Sequence, residues 1–596
     1  MIEAQQIEDV LIDDLVAYGC RDADGTLRLV PVLRRKLKKV GRYELFKRLY
    51  LRPLRALIRM EIAGVQLAPE RLQKLEPYYE DRMSDAAEAV RGLPCHEQWS
   101  RENRKENKKR VRRGVLDESQ PKWVYPEINL GSPPQVQRLF YGTLELPDTN
   151  VRGKQDLSTG EDRIVDIGRQ LYEESGECEA LTAIRSVLTY RNAQKRRSSY
   201  VRKFLAETPN RGQPSTAATA RFEPKCGVWV AHPVYNQSKV RTGRLSAQDP
   251  PIQTIPRHSP IRGAFVSRYE NGIVLKADFS QMELRVLACL AGDERLIAVL
   301  GGEDKRFKEF KGDIHLYTAS VIYKKAASEV HEDERHRAKS VSFGIIYGRQ
   351  APAIALETGL TTEDAEALIE SYFDMFPAVR RFVERMHKQV HEHGMVVGPT
   401  GRIYPIEAGL LSQKSTKLSY EEERKLGEAE RYSVNYPIQG AASDIGLDSL
   451  VRISDLLVEE NYRTVPFTFV HDSIETDSVP AELKQVSRLM ADVMLGDHGE
   501  LFEWLTVPLK VEFELGADWE KTMKLELEGD RVKLTGNGKF YPPLRRRLAS
   551  HFKIRDEEMV SKGIKVETSA EGPRLSLEDR EERPPYEKLE VSLTLN

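Results

Sequence analysis

The sequence predicts a mixed α/β (α+β) fold, with long helical blocks attached to a sheet of short strands. Three observations predict it. Apolar residues recur with helical period through 68–91, 132–206, 313–397 and 421–460. Short apolar or alternating runs read as strands at 273–275, 465–477 and 507–515. Asp278 stands where the first of these strands gives way to a helix, and Asp472 stands at the break inside the second.

Composition sets the frame. A chain of 596 residues corresponds to about four domains or subdomains. With 40% hydrophobic and 31% charged residues it has the make-up of an ordinary soluble protein with large cores. No apolar run approaches the ~18 residues of a membrane span, and the first residues lack a basic-then-apolar signal pattern. Five scattered cysteines without C-x-x-C spacing argue against zinc and against a disulfide framework, and fit a reducing compartment. The net charge of −1 is uninformative, but its distribution is not. Residues 101–113 (RENRKENKKRVRR) carry eight basic and two acidic side chains, and 194–203 (QKRRSSYVRK) is also basic. A charge run is ordinarily a solvated face; beside the chemistry described below, phosphate contact is the stronger reading.

The elements follow in order. Helical spacing begins in 7–16, and a long polar helix covers 68–91. Residues 94–127 are charged and are expected to be irregular and protruding. Residues 132–206 are helical, with Leu188-Thr189-Tyr190-Arg191 running into the second basic stretch. Pro, Gly, Val and Thr between 222 and 265 predict short strands and turns. A strand and one helix fill 273–300, helices broken at Gly348 and Pro377 fill 313–397, and Gly398-Pro399-Thr400-Gly401 is a turn. Residues 421–460 are helical, 465–477 is a strand, tight turn and strand, and 507–515 alternates as a strand. Residues 523–534 read as a hairpin turning at Gly529-Asp530. The polar 564–588 stretch is expected to be disordered, and 589–595 an edge strand.

The chemistry lies in three motifs. Hard divalent cations want carboxylate oxygens at strand ends, and adjacent strands would bring Asp278 and Asp472 to one spot. A lone Asp at a strand end is ordinarily a turn or helix cap; two in these contexts are not. Between them Arg335, Lys339, Phe343 and Tyr347 recur every four residues, one slowly drifting helical stripe that ends at Gly348. Two cations one turn apart suit successive phosphates, and an aromatic suits a sugar and base. Acidic Glu332, Asp333 and Glu334 suit the start of that helix. This is the equipment of nucleotidyl transfer to a nucleic-acid end, where charge neutralisation and in-line positioning dominate and two metal ions serve both oxygens.

These segments resemble those of the family A DNA polymerases. Asp278-Phe279-Ser280-Gln281-x-Glu283-Leu284-Arg285 is similar to the first palm motif, Arg335 to Gly348 to the fingers helix, and Val470-His471-Asp472 to the second palm motif. Thr242-Gly243-Arg244-Leu245-Ser246 with Gln253-Thr254-Ile255-Pro256 resembles the segment that grips the primer-template junction. Arg431-x-x-x-Asn435-x-Pro437-x-Gln439-Gly440 resembles the template-side helix. The likeness runs from about Leu54 to Trp519.

The resemblance implies a right-hand polymerase with a palm sheet, helical fingers and a helical thumb. The palm would combine 51–66, 205–300 and 450–520, the thumb would be 67–204 with the basic 94–127 segment, and the fingers 301–449. Residues 521–596 would be an extension of unknown role. Asp278 and Asp472 would hold two magnesium ions, with manganese as a substitute. Arg335, Lys339 and His315 would hold the triphosphate, Lys339 as a catalytic cation. Phe343, Tyr347 and Gln281 would shape the nucleotide site, and Glu283 would crowd the sugar 2′ position. Arg244, Gln253, Thr254, Arg431, Asn435, Gln439 and His471 would contact DNA near the minor groove, whose acceptors all correct pairs share. Lys105, Lys108, Lys109 and Arg110 would contact phosphate. The partners implied are primer-template DNA and deoxynucleoside triphosphates, for a monomeric protein in the cytoplasm of a bacterial or phage-infected cell. Two departures stand out. Ser473 occupies the position after His-Asp where the family usually has Glu, and Glu475, on the same strand face, would substitute only in part. Thr254 stands where Asn is common.

Residues 18–27 (YGCRDADGTL) resemble the last motif of the family's 3′–5′ proofreading exonuclease, with Tyr18 and Asp22 in its tyrosine and aspartate positions. Residues 1–50 are therefore expected to be an exonuclease remnant, with the rest truncated away or encoded as a separate polypeptide; the plainer alternative is that residues 1–40 are simply a helix packed against the palm. Two rivals stand beside this reading. A single-subunit RNA polymerase is disfavoured by Glu283, and a non-catalytic DNA-binding scaffold by the retained Asp278, Asp472, Arg335 and Lys339.

Overall fold

The computed structural model describes residues 12–112, 127–147, 157–205, 220–223, 228–257, 259–302, 304–349, 351, 354–355, 361–414, 416–528, 531–537, 544, 547, 567–569 and 588–593. Its centre is an eight-stranded sheet in the order Glu567–Ser569, Lys588–Leu593, Arg531–Asn537, Thr522–Glu528, Val511–Gly516, Ile273–Phe279, Ser473–Ser478 and Val465–Val470. Every neighbouring pair is antiparallel. Ile273–Phe279 is buried along nearly its whole length, which is why it reads as an apolar run interrupted only by Lys276 and Asp278.

Behind this sheet runs a 40-residue helix, Tyr420–Glu459. Ser419 starts it with a capping box, accepting from the Glu422 amide while the Glu422 carboxylate accepts from the Ser419 amide. Its second half is buried on nearly all sides, so it lacks a single apolar stripe. Gly446 lets it approach the sheet, since a Cβ there would sit 2.7 Å from the Phe469 ring. The Arg52–Ala63, Pro377–His393 and Leu483–Leu495 helices pack on it and share one apolar core with the sheet. A second core, built on Val90, Trp99, Phe140, Ile164, Ile184 and Val187, belongs to the helical block between residues 87 and 187.

Several expectations needed correction. The basic segment is not irregular. Pro94–Arg112 is a helix that opens on Pro, buries Trp99 against His96 and pairs Glu97 with Arg101 one turn on; residues 113–126 lie outside the described residues. The 273–300 region holds two helices, Met282–Ala291 and Glu294–Gly301. Gly292, at φ +64°, ends the first, and buried Asp293 caps the second through the Leu296 amide. The strand expected at 507–515 begins only at Val511: Pro508 has no N–H to give to a ladder, and its carbonyl is taken by Arg285. The last strand, Lys588–Leu593, is not an edge. Arg531–Asn537 pairs with it on one side and Glu567–Ser569, inside the stretch expected to be disordered, on the other. Residues 570–587 lie outside the described residues.

The 18–27 segment lies within a single helix, Ile12–Lys39. Among the described residues no helix is long and apolar enough to cross a membrane.

Candidate active site

The site forms where three strands end together. Asp278 lies opposite Ser473 on one side and Glu512 on the other. The 471–472 turn joining Val465–Val470 to Ser473–Ser478 therefore closes over the end of Ile273–Phe279. The Phe279 amide donates to the Asp472 carbonyl at 3.2 Å, so the two aspartates sit at one corner of the sheet. His471 makes the tight turn at φ +58°, a left-handed conformation that non-glycine residues seldom adopt. Burial pushes Asp278 up to about 6; Arg257 opposes the rise and Asp472 adds to it. Asp472 also rises to about 6, by burial first, with Glu283 adding and Arg244 opposing. Each rise is set first by burial and only partly opposed by a neighbouring guanidinium, so a divalent cation bound at this corner would offset the desolvation of both carboxylates.

Bonds lead from this corner to the cationic helix. Gln281, at φ +54°, turns the chain from strand to helix, and its amide spans the Gly312 carbonyl and the Ile314 N–H. Asp313 caps the Ile314–Tyr323 helix by accepting from the His315 and Leu316 amides. Its other oxygen accepts from Arg335 Nε at 2.7 Å, and Glu332 takes Arg335 Nη1 at 3.2 Å. Arg335 therefore opens the Glu332–Ile346 helix already held by two carboxylates. Lys339 is exposed. Phe343 and Tyr347 stack at 5.8 Å, and His315, only 2% exposed, packs its ring 5.5 Å from Phe343. The stripe read from four-residue spacing is thus one helix surface. Gly348 follows it at φ +71°, where a Cβ would come within 2.9 Å of Arg431 Cγ.

The remaining residues divide by position. Arg244 Nη2 donates to Glu283 Oε1 at 2.5 Å; burial raises the Glu283 carboxyl and Arg244 opposes this. Burial lowers His471, helped by Arg244, Arg262 and Arg257. Gln253 donates to the Phe469 carbonyl at 2.6 Å. Thr254 bonds its own turn through the Pro251 carbonyl. Arg431, Asn435 and Gln439 are half-buried along the Tyr420–Glu459 helix. Lys105 is exposed on the Pro94–Arg112 helix in the other block. Lys108, Lys109 and Arg110 continue that helix, with side chains outside the described ones.

Sequence reasoning missed a charged row directly behind Asp278. Lys276 lies opposite Glu475 on one side and Glu514 on the other, and its Nζ meets Glu514 Oε2 at 2.6 Å. Arg257 reaches both Asp278, at 3.6 Å, and Glu514, at 3.7 Å. The available signal was Lys276 itself, since a lysine inside a buried strand demands a carboxylate partner.

A family model for DNA polymerase family A matches residues 99–521. DNA polymerase I of Chloroflexus aurantiacus is 29% identical over 527 residues, 87% of this chain and 48% of that protein. The thermostable DNA polymerase I of Thermus aquaticus is 32% identical over 402 residues, 66% of this chain and 42% of that protein. Among solved structures, the POL domain of Pol1 from M. smegmatis, in complex with DNA primer-template and dNTP, aligns with a TM-score of 0.64 and 26% identity. That alignment covers 83% of this chain and 74% of the other. The chain spans about half the length of the curated relatives it matches. With a family match over most of its length and a mixed helix-and-sheet fold aligned to a polymerase domain, this chain belongs to DNA polymerase family A.

Proposed function

We propose that the chain is a DNA-directed DNA polymerase that adds deoxynucleoside triphosphates to a primer 3′ hydroxyl on a DNA template. The observation that carries this reading is the convergence of Asp278 and Asp472 at one sheet corner, tied through Gln281 and Asp313 to Arg335 on the cationic helix. Family membership and the relatives' names support it.

The donor set fits hard divalent ions, because it consists of carboxylate oxygens at a strand end with no thiolate. Asp278 and Asp472 would hold them, magnesium first and manganese as a substitute. Such ions supply charge neutralisation at the attacking and leaving oxygens. Lys339 and Arg335 bind the triphosphate, with Asp313 and Glu332 holding the Arg335 guanidinium in place until phosphate competes for it. Phe343 and Tyr347 form the wall against which the incoming base and sugar stack. Glu283, clamped by Arg244, fills the space a 2′ hydroxyl would need. Arg244, Gln253, Arg431, Asn435 and Gln439 face the primer-template. The subdivision follows: palm at 51–66, 205–300 and 450–520, thumb at 67–204, fingers at 301–449. These 596 residues are assigned no 3′–5′ trimming, because Tyr18 is 64% exposed on an uninterrupted helix and Asp22 is exposed beside it.

The test is primer extension with deoxy- and ribonucleotides. Asp278→Ala and Asp472→Ala should each abolish extension while primer-template binding, measured by anisotropy, stays largely intact. The loss corresponds to several kcal/mol of transition-state stabilisation. Near-normal extension by either variant would sink the assignment. Degradation of a mismatched primer, lost in Asp22→Ala, would overturn the statement on trimming.

A further inference from the structure

Ser473 and Glu475 follow the turn that carries Asp472, and both point to the face of the sheet that bears Asp278, since alternate residues of a strand share a face. Ser473 is directly opposite Asp278, and Glu475 lies one row back, about 7 Å along the strand. Both are more than nine-tenths buried; Glu475 is 1% exposed. Among the described residues neither Ser473 Oγ nor Glu475 Oε2 has a hydrogen-bond partner. A buried carboxylate with an unused oxygen is costly, so its retention asks for a reason.

The surroundings supply one. Lys276, beside Glu475, is committed to Glu514, whose Oε2 also accepts from Thr522. Arg262, 6% exposed, lies with its guanidinium 4.2 Å from the Trp519 ring centre. Arg257 spans Asp278 and Glu514. Three cations therefore crowd the rear of the corner that Asp278 and Asp472 share. Without Glu475, Glu514 alone would face these three cations, and their excess positive field would oppose any cation bound at the corner. Burial and the neighbouring carboxylates raise Glu475, while Lys276 and Arg262 act in the opposite direction, so this residue is electrostatically coupled to both sides of the row.

We infer that Glu475 is a positioning residue for cation binding, its buried charge balancing Lys276 and Arg262 so that the Asp278–Asp472 corner stays net negative. The inference rests on the polymerase reading of that corner. Its effect is electrostatic and acts at about 7 Å in a poorly screened interior, so it has a sign that packing alone would not produce.

The experiment measures Mn2+ binding to the full chain at pH 8, without DNA or nucleotide, from the electron paramagnetic resonance signal of free Mn2+. Glu475→Gln, close to isosteric, should weaken Mn2+ binding by roughly tenfold. Lys276→Gln should tighten it, and the Lys276→Gln/Glu475→Gln double variant should return to within about threefold of the parent, because it removes one charge of each sign. If Glu475→Gln alone does not fold, by circular dichroism, the Lys276→Gln and double variants carry the same comparison of signs. Unchanged affinity in Glu475→Gln, with binding lost in Asp278→Ala, overturns the inference. So does a double variant as weak as Glu475→Gln, or a Lys276→Gln that does not bind more tightly. Wild-type Mn2+ binding by Asp278→Ala would instead overturn the polymerase site reading beneath it.

Discussion

At the scale of residues, the chemistry of the corner is governed by which carboxylates have cations and which do not. Glu514 shows one extreme: burial alone would raise its carboxyl, but Lys276, Thr522 and Arg257 outweigh that and hold it below its ordinary value. Glu475 shows the other, pushed up to about 7. Its folded value lies above its unfolded one, so its contribution to stability is complete below about 4.5 and is lost as pH rises through about 7. Glu475→Gln mimics the neutral acid. In chelator, denaturant titrations should find it equal to the parent near pH 4 and more stable by up to a few kcal/mol at pH 8; a parent that gains on the variant as pH rises would refute the sign. Glu283 makes a second residue-level prediction. Glu283→Ala should admit ribonucleotides by removing bulk and releasing Arg244, while Glu283→Gln keeps the bulk and should largely keep the exclusion. The check is the ratio of kcat/KM for deoxy- over ribonucleotide in each variant.

At the scale of elements, two helices carry the argument. The Glu332–Ile346 helix was legible because a four-residue recurrence of Arg, Lys, Phe and Tyr admits one geometry. Its ending was legible only as a glycine: the structure supplies the reason, a positive φ at Gly348 above the Arg431 side chain. Gly348→Ala should therefore be strained on both counts and lower extension activity severalfold, with Tyr347 and Arg431 displaced together. The Pro94–Arg112 helix was obscured by its own charge, since a run of lysines and arginines carries no apolar stripe; its anchors are the isolated Trp99 and Cys95. Neutralising Lys105, Lys108, Lys109 and Arg110 should weaken primer-template affinity and flatten its log-log salt dependence by roughly one unit per lost phosphate contact. An unaltered salt slope would leave the segment a solvated helix.

At the scale of the whole molecule, the segment beyond residue 521 lies outside the family match yet continues the central sheet through Thr522–Glu528 and Arg531–Asn537. It is an integral layer rather than an appendage. Thr522 bonds Glu514, which also faces Arg257 beside Asp278, and Leu544, 0% exposed, belongs to the main core. Leu544→Ala should cost roughly 2–5 kcal/mol, as deletion of a buried leucine does, and lower the midpoint of thermal unfolding. An unchanged midpoint would mean that this layer folds apart from the rest.

What the sequence by itself determined was local. Periodicity placed most helices and strands, turn chemistry placed the breaks, and the contexts of Asp278, Asp472 and Arg335 to Gly348 announced the chemistry, because each is written in contiguous residues. What only the tertiary structure decided was pairing between distant segments. Register sets Asp278 against Ser473 and Glu512, and Lys276 against Glu475 and Glu514. It also turns the final strand from an edge into an interior member of the sheet. No local pattern encodes such partners. A strand's side-chain period tells which face a residue occupies, but its neighbours on that face come from strands far away in the chain. Burial and opposing charge, which decide the ionisation of Asp278, Asp472 and Glu475, exist only once those strands have met.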